Sequence, residues 1–195
     1  MSEISFINLD ASKLNPCDKE ICRYLNMHAC NDEAPSLISD CKKEVSEVAR
    51  PKAVYIKVTV TEVDVGVCLG FGNVYSRSLA KNLSGCAEAY VFCATLGQGV
   101  DRLINKYSKI EPSKGLVCDA VATAMIEEFC DYVNGLLGEC HSLRPRFSCG
   151  YGDFAIEHQE SILNLLEAKK RLGVAMLDSY MMTPFKTVTA VVGIA

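Results

Sequence analysis

An α+β fold, with a mostly antiparallel twisted sheet covered by helices, is what three features of this sequence predict. Helical and strand-like patterns follow one another without the regular strand–helix alternation of a doubly wound sheet. Residues 53–63, AVYIKVTVTEV, alternate with the two-residue period of a strand, Val54, Ile56, Val58 and Val60 on one side and Tyr55, Lys57, Thr59 and Thr61 on the other. Residues 113–137 carry apolar side chains at helical spacing. With no linker, repeat or low-complexity segment, the expectation is one domain over 1–195, its first 50 residues helical and residues 51–195 a mixed body.

From the N-terminus, DKEICRYLNM (18–27) predicts a short helix capped by Asp18, with Ile21 and Leu25 on one face. SLISDCKKEVSEVAR predicts a second, capped by Ser36, striped by Leu37, Cys41, Val45 and Val48, and ended by Pro51. The alternating segment 53–63 then reads as a half-buried strand, broken by GFGN at 70–73 and followed by a helix through Leu79. AYVFCAT (89–95) is a buried strand that passes into a helix opened by Gly97 and Gly99. TLGQG lacks the glycine order and lysine of phosphate-binding loops and reads as a tight turn.

The longest helix has Val117, Val121, Met125, Phe129, Val133 and Leu136 as its core face. SILNLLEAKKRL predicts a further amphipathic helix through Ile162, Leu165 and Leu166, ended by Gly173. Two strands, AMLDSYMM and KTVTAVVGI, flank Pro184.

Charge narrows the function classes. A formal net charge of -4 and a pI near 5.4 argue against nucleic acid or an anionic membrane as partner. No basic start precedes an apolar run, and no stretch reaches the roughly 18 to 20 apolar residues of a spanning helix, so a cytoplasmic protein is expected. Eleven cysteines, an odd number, do not read as a disulfide framework in that compartment. Cys17, Cys22, Cys30 and Cys41 crowd the first quarter, but without a CxxC pair they read as incidental or core thiols rather than a metal site, as do Cys68, Cys93, Cys118 and Cys130. A metal-binding redox protein built on those four thiols is a competing reading.

Two segments carry candidate chemistry. On the long helix, Glu127, Glu128 and Asp131 place carboxylates in mid-helix, Glu127 and Asp131 four apart on one side, with no Lys or Arg between residues 115 and 143. Either this is a solvated face or a cation reaches it from elsewhere. Downstream, RPRFSCGYGDFAIEHQ (144–159) brings an arginine fork, a side-chain-free backbone point and an aromatic face into six residues. Arg146 suits a carboxylate, Gly150 a close approach to the main chain, and Tyr151 a flat ring or a cation. A zwitterionic amino acid carrying a nucleoside would use all three, with its ammonium on the Glu127 and Asp131 face; a plain turn is the alternative.

RPRFSCGYGDFAIEHQESILNLL, followed by SYMMTPFKTVTAVVG, resembles the C-terminal activation domain of cobalamin-dependent methionine synthase. That family carries RPxxGY or RxxxGY, an acidic-His helix start, then a Met-x-Pro stretch leading into a Ser/Val strand. The likeness covers roughly residues 113–193. It implies a site for S-adenosylmethionine in which Arg146 contacts the methionine carboxylate, Gly150 and Tyr151 are the Gly-Tyr pair, and Ser148 offers a main-chain contact to adenine. It also implies that Glu127 is a ligand-contacting glutamate and that Glu139 stands in for a second one. The chain stops at Ala195, before the family's late ligand-contacting tyrosine, and has one extra residue between Tyr151 and His158.

The resemblance implies reductive methylation of cob(II)alamin to methylcobalamin, with an electron from flavodoxin or a similar reductant. None of His28, His141 and His158 sits in a cobalamin-binding context, so the cobalamin is expected on a partner, a methionine synthase or corrinoid protein. Positioning is then the chain's contribution, with no catalytic side chain and no metal. Glu157 and His158, adjacent on a helix, diverge too far to act as a dyad. Cys149 lacks a basic partner that would make it a nucleophile. A docking subunit of a corrinoid methyltransferase that does not use S-adenosylmethionine is the alternative function.

Overall fold

The computed structural model describes residues 3–26 and 34–195. Strand β1 (Ser5–Asn8) leads through a 3-10 turn to helices α1 (Asp18–Tyr24) and α2 (Ala34–Val48), then strand β2 (Lys52–Thr59). A small meander follows, β3 (Thr61–Val63), β4 (Gly66–Leu69) and β5 (Gly72–Val74), then helix α3 (Arg77–Asn82) and strand β6 (Glu88–Thr95). Helices α4 (Gln98–Ile110) and α5 (Pro112–Gly138) come next, and after a long connection α6 (His158–Leu165) and α7 (Ala168–Leu172). The hairpin β7 (Ala175–Met176) and β8 (Met182–Thr183) precedes the last strand, β9 (Thr187–Ile194).

The main sheet is antiparallel throughout, in the order β1-β2-β6-β9, as the expected α+β class requires. Its register aligns Tyr55 with Phe92 and Phe92 with Ala190, so one row of side chains faces one layer and the next row faces the other. Ala53, Phe92, Ala94, Ala190 and Val192 pack against α1, α2, α4 and α5, where Ile21, Cys41, Val45, Val121 and Phe129 fill the core. Val54, Val58, Val91, Cys93 and Val191 pack on the opposite face against the meander, α3, α6 and α7.

The expected half-buried strand over 53–63 is thereby corrected. Both faces of β2 are covered at its centre, and it stops at Thr59, with β3 belonging to the separate three-stranded sheet. Strict alternation conceals this, because Tyr55 and Lys57 cover apolar surface with their rings and stems while keeping polar ends outward.

Several boundaries also differ. Cys17, not Asp18, is the N-cap of α1, and Asp18 instead pairs with Lys42 at 2.5 Å. Ser36 lies inside α2, which begins at Ala34. Residues Met27, His28 and Cys30 lie outside the described residues. On α5 the last core position is Leu137, 5% exposed, while Leu136 is 37% exposed. The helix expected through Leu166 breaks at Glu167, which takes a left-handed backbone (φ 49°), and AMLDSYMM is a hairpin rather than one strand. Gly173 does cap α7 in the left-handed conformation, as expected.

Candidate ligand-binding site

The connection from α5 to α6 is built against β9, whose outer edge offers unpaired backbone groups. Residues Leu143 and Phe147 bridge Ile194 and Val191, and Phe147 donates its N–H to the Val191 carbonyl at 2.9 Å and accepts from Val191 at 2.8 Å. Arg146 and Ser148 are therefore held beside an ordered sheet edge rather than on a free loop. The chain then folds back: Tyr151 donates to the Ser148 carbonyl (3.2 Å), and Gly150 and Phe154 join through a 2.7 Å bond from the Gly150 N–H. Phe154 is fully buried in the second core and anchors the loop from below.

Glycine is required in this loop at two positions. Gly150 has φ +87°, and Gly152 has φ +56° with a would-be Cβ only 2.8 Å from the Ser78 hydroxyl. That close approach is locked by Asp153, whose carboxylate accepts from the Ser76 hydroxyl (2.6 Å), the Arg77 N–H (2.8 Å) and the Ser78 N–H (3.0 Å). The Ser76 hydroxyl and the Ser78 N–H hold the Asp153 carboxyl well below the usual carboxylate range.

Between this loop, mid-α5, the start of α6 and the first half of β9 lies a cavity of about 470 Å³, within the size range of small-molecule sites. Arg146 and Glu127 lie on its wall, with Ser148 and Tyr151 beside them and Gln159, Thr187 and Thr189 completing the polar lining. Arg146 is the cation that the acidic helix face lacked. Its Nη2 lies 2.9 Å from Asp131 and 3.2 Å from Glu127, while its buried Nη1 has no hydrogen-bond partner among the described residues. The residues assigned to a ligand's carboxylate and to its ammonium thus contact one another.

The other candidates fall as follows. Ser148 is half-buried on the wall, and Tyr151, 68% exposed, stands at the rim. Gly150 turns the main chain just behind them. Glu139 is the exposed C-cap residue of α5 and does not line the cavity, because α5 ends before the chain reaches the sheet edge.

Cys149 does line it, but burial pushes its thiol up to about 12, so it stays protonated at neutral pH and is no nucleophile. His158 starts α6 with its ring 5.6 Å from that of Phe154, a packing position. Gly97 is the N-cap of α4, its N–H bonded to the Thr95 hydroxyl at 3.2 Å, so TLGQG is the tight turn expected.

Gln159, Thr187 and Thr189 escaped the sequence reading. The signal available was the i, i+2 pair of threonines on one face of an otherwise apolar strand, KTVTAVV. Beyond Gln159 and Met182, which line both, lies a second cavity of about 560 Å³ whose wall includes Asp101, Asp119, Lys186 and Tyr180. There Lys186 pairs with Asp119 at 2.8 Å, and burial raises the Asp101 carboxyl although it accepts the Phe185 N–H at 2.9 Å.

Of the four early cysteines, Cys17 is exposed and Cys41 is buried beside Cys118 between α2 and α5. Cys22 is disulfide-bonded, which corrects the expectation of free thiols at that position. Among the described residues no group of three His, Cys, Asp or Glu side chains is placed to hold a metal ion, and no helix is long and apolar enough to cross a membrane.

No protein-family model and no curated protein matches the sequence. A solved structure does: a crystal structure of the MetH reactivation domain bound to AdoHcy, with a TM-score of 0.72 and 16% identity, covering 98% of this chain and 78% of that one. The chain therefore has the fold of the MetH reactivation domain.

Proposed function

We propose that this chain binds S-adenosylmethionine and serves as the reactivation component of a cobalamin-dependent methionine synthase or a related corrinoid methyltransferase in the cytoplasm. The observation that carries the reading is the Arg146 guanidinium on the cavity wall, one nitrogen held by Glu127 and Asp131 and the other buried without a partner. A buried donor left unmatched is costly, and Nη1, closed off from the cavity in this conformation, would be satisfied by a ligand carboxylate through a charge-assisted bond once the guanidinium turns toward the cavity. The fold likeness to a domain bound to AdoHcy supports the same ligand class.

In this reading the α5 carboxylate of Glu127 receives the ligand's ammonium, Ser148 presents main chain to the base, and Tyr151 covers a flat ring from the rim. S-adenosylmethionine would supply the methyl cation, its S–CH3 bond breaking to leave S-adenosylhomocysteine, and a flavodoxin-like reductant one electron, for conversion of cob(II)alamin to methylcobalamin on a partner protein. The chain's own part is geometric: fixing the sulfonium end of the ligand turns a bimolecular encounter into a positioned one. No side chain on the cavity wall has to move a proton.

One observation favours a second reading. Arg146 already has two carboxylate partners, which suits a docking subunit that retains the fold and does not use S-adenosylmethionine. Calorimetric titration of S-adenosylmethionine and S-adenosylhomocysteine into the wild type and Arg146→Ala separates the two. Saturable binding lost in the variant is the expected result; no heat in the wild type at millimolar ligand would favour the docking subunit.

A further inference from the structure

Gln159 is 6% exposed and stands between the two cavities. Its carboxamide can be oriented without ambiguity. The Tyr180 carbonyl, 3.0 Å away, can only accept, so the atom facing it is the donor Nε2, and Oε1 faces Thr189. Tyr180 lines the 560 Å³ cavity and Thr189 the 470 Å³ one, so the amide presents its acceptor toward the side that holds Arg146.

That acceptor is poorly matched. The Thr189 hydroxyl lies 3.5 Å from Oε1, at the limit of a hydrogen bond, and a buried carbonyl oxygen has two lone pairs to satisfy. The neighbouring Thr187 cannot help, since its hydroxyl is already 2.8 Å from Thr95 Oγ1 and 2.7 Å from the Pro184 carbonyl. This part of the wall carries no formal charge, whereas the ion-paired Arg146 and Glu127 define the charged part. A ligand with a zwitterionic end and a neutral ring would place the ring's donor at Gln159.

We infer that Gln159 is a specificity-determining residue of this site: its Oε1 accepts a hydrogen bond from the exocyclic amino group of an aminated purine and so selects an adenosyl over an inosyl ligand. The inference rests on the nucleoside reading given above. In an inosyl ligand the amino group is replaced by a carbonyl, which would set two acceptors against each other at that point of the wall, and the ring would have to slide to bring its neighbouring N1–H to Oε1.

The test is the ratio of dissociation constants for S-adenosylhomocysteine and S-inosylhomocysteine, measured by calorimetry on the full chain. The wild type is expected to prefer the adenosyl ligand by about tenfold, the factor that one hydrogen bond of ordinary strength represents. In Gln159→Leu the ratio should fall close to one, through loss of adenosyl affinity.

A wild type that binds both equally, or a Gln159→Leu that keeps the ratio, overturns the role of Gln159 and leaves the nucleoside reading standing. A wild type that binds neither overturns both. Should Gln159→Leu fail to fold, Gln159→Met carries the test: it removes the Oε1 acceptor at similar volume, so the adenosyl preference must fall toward one, and a preference that is kept overturns the inference.

Discussion

Asp153 and Ser76, 77 residues apart in the chain, are joined by a 2.6 Å hydrogen bond that ties the RxxxGY loop to the start of α3. Ser76 is fully buried and its hydroxyl also accepts the Leu79 N–H at 3.0 Å, so the loop is fastened to a fixed point of the second core. The carboxylate adds the Arg77 and Ser78 N–H groups to the same junction. One side chain thus sets where Tyr151 stands relative to the sheet edge that carries Arg146.

Asp153→Ala should accordingly loosen the loop without unfolding the protein. Amide hydrogen exchange at Gly150, Tyr151 and Phe154 should accelerate by about tenfold or more while the α5 and β6 amides keep their protection. Unchanged exchange at these three amides would show that Phe154 and the sheet edge hold the loop unaided.

Two aspartates should have opposite pH signatures. The Asp153 carboxyl lies below its ordinary value of 3.8, so its contribution is present above pH 3.8 and is lost as pH falls through the lower folded value. Asp101 is raised from 3.8 by burial; there the native state retains a proton that the unfolded chain releases, and the advantage is lost as pH rises through the raised folded value. Asp101→Asn removes that cost and can still accept the Phe185 N–H. Its melting temperature should exceed the wild type by up to a few degrees at pH 7, and the difference should vanish below about pH 3, where Asp101 is protonated in both states. A uniform difference across the range would mean that titration of Asp101 is not its origin.

How much of this was legible in the sequence depended on whether a residue's partner was local. Val117 to Phe129 repeat every four residues and declare a buried face, Pro51 and Gly173 end helices by their own backbone limits, and the alternation around Val54 finds the central strand. The break at Glu167 is invisible because no glycine marks its left-handed backbone. The acidic face on α5 left open either solvation or a cation from elsewhere, and that Arg146 is such a cation depends on the sheet-edge path of residues 143–147. Gln159, Thr187 and Thr189 are ordinary polar residues in sequence and become cavity wall only because α6 and β9 converge.

The end of α5 gives a direct check on its register. Leu136 and Leu137 are neighbours of identical composition, but about 100° of helix rotation puts only Leu137 into the core with Val133. Leu137→Ala should cost about 2–5 kcal/mol, as buried leucines do when truncated, and Leu136→Ala less than about 1 kcal/mol. Denaturant unfolding of both variants measures the contrast. Equal costs would mean that Leu136 is covered in solution by something other than this chain.

Glu127 and Asp131 both hold Arg146, but they should not be equivalent for ligand. Glu127 lines the cavity, with its side chain 46% exposed, whereas Asp131 lies outside it at 72%. An exposed ion pair contributes about 0–1 kcal/mol, so neither Glu127→Gln nor Asp131→Asn should lower stability by more than that. Glu127→Gln removes the charge that would meet a ligand ammonium and should weaken S-adenosylhomocysteine binding by about tenfold, while Asp131→Asn, which only frees part of Nη2, should change it by less than about threefold. Titration of the two variants side by side reads this ratio. A larger loss in Asp131→Asn would place the ammonium on the outer carboxylate, and the ligand's charged end would then lie in a groove between α1 and α5, lined by Glu20, Tyr24, Glu128 and Asp131, rather than in the cavity beside Gln159.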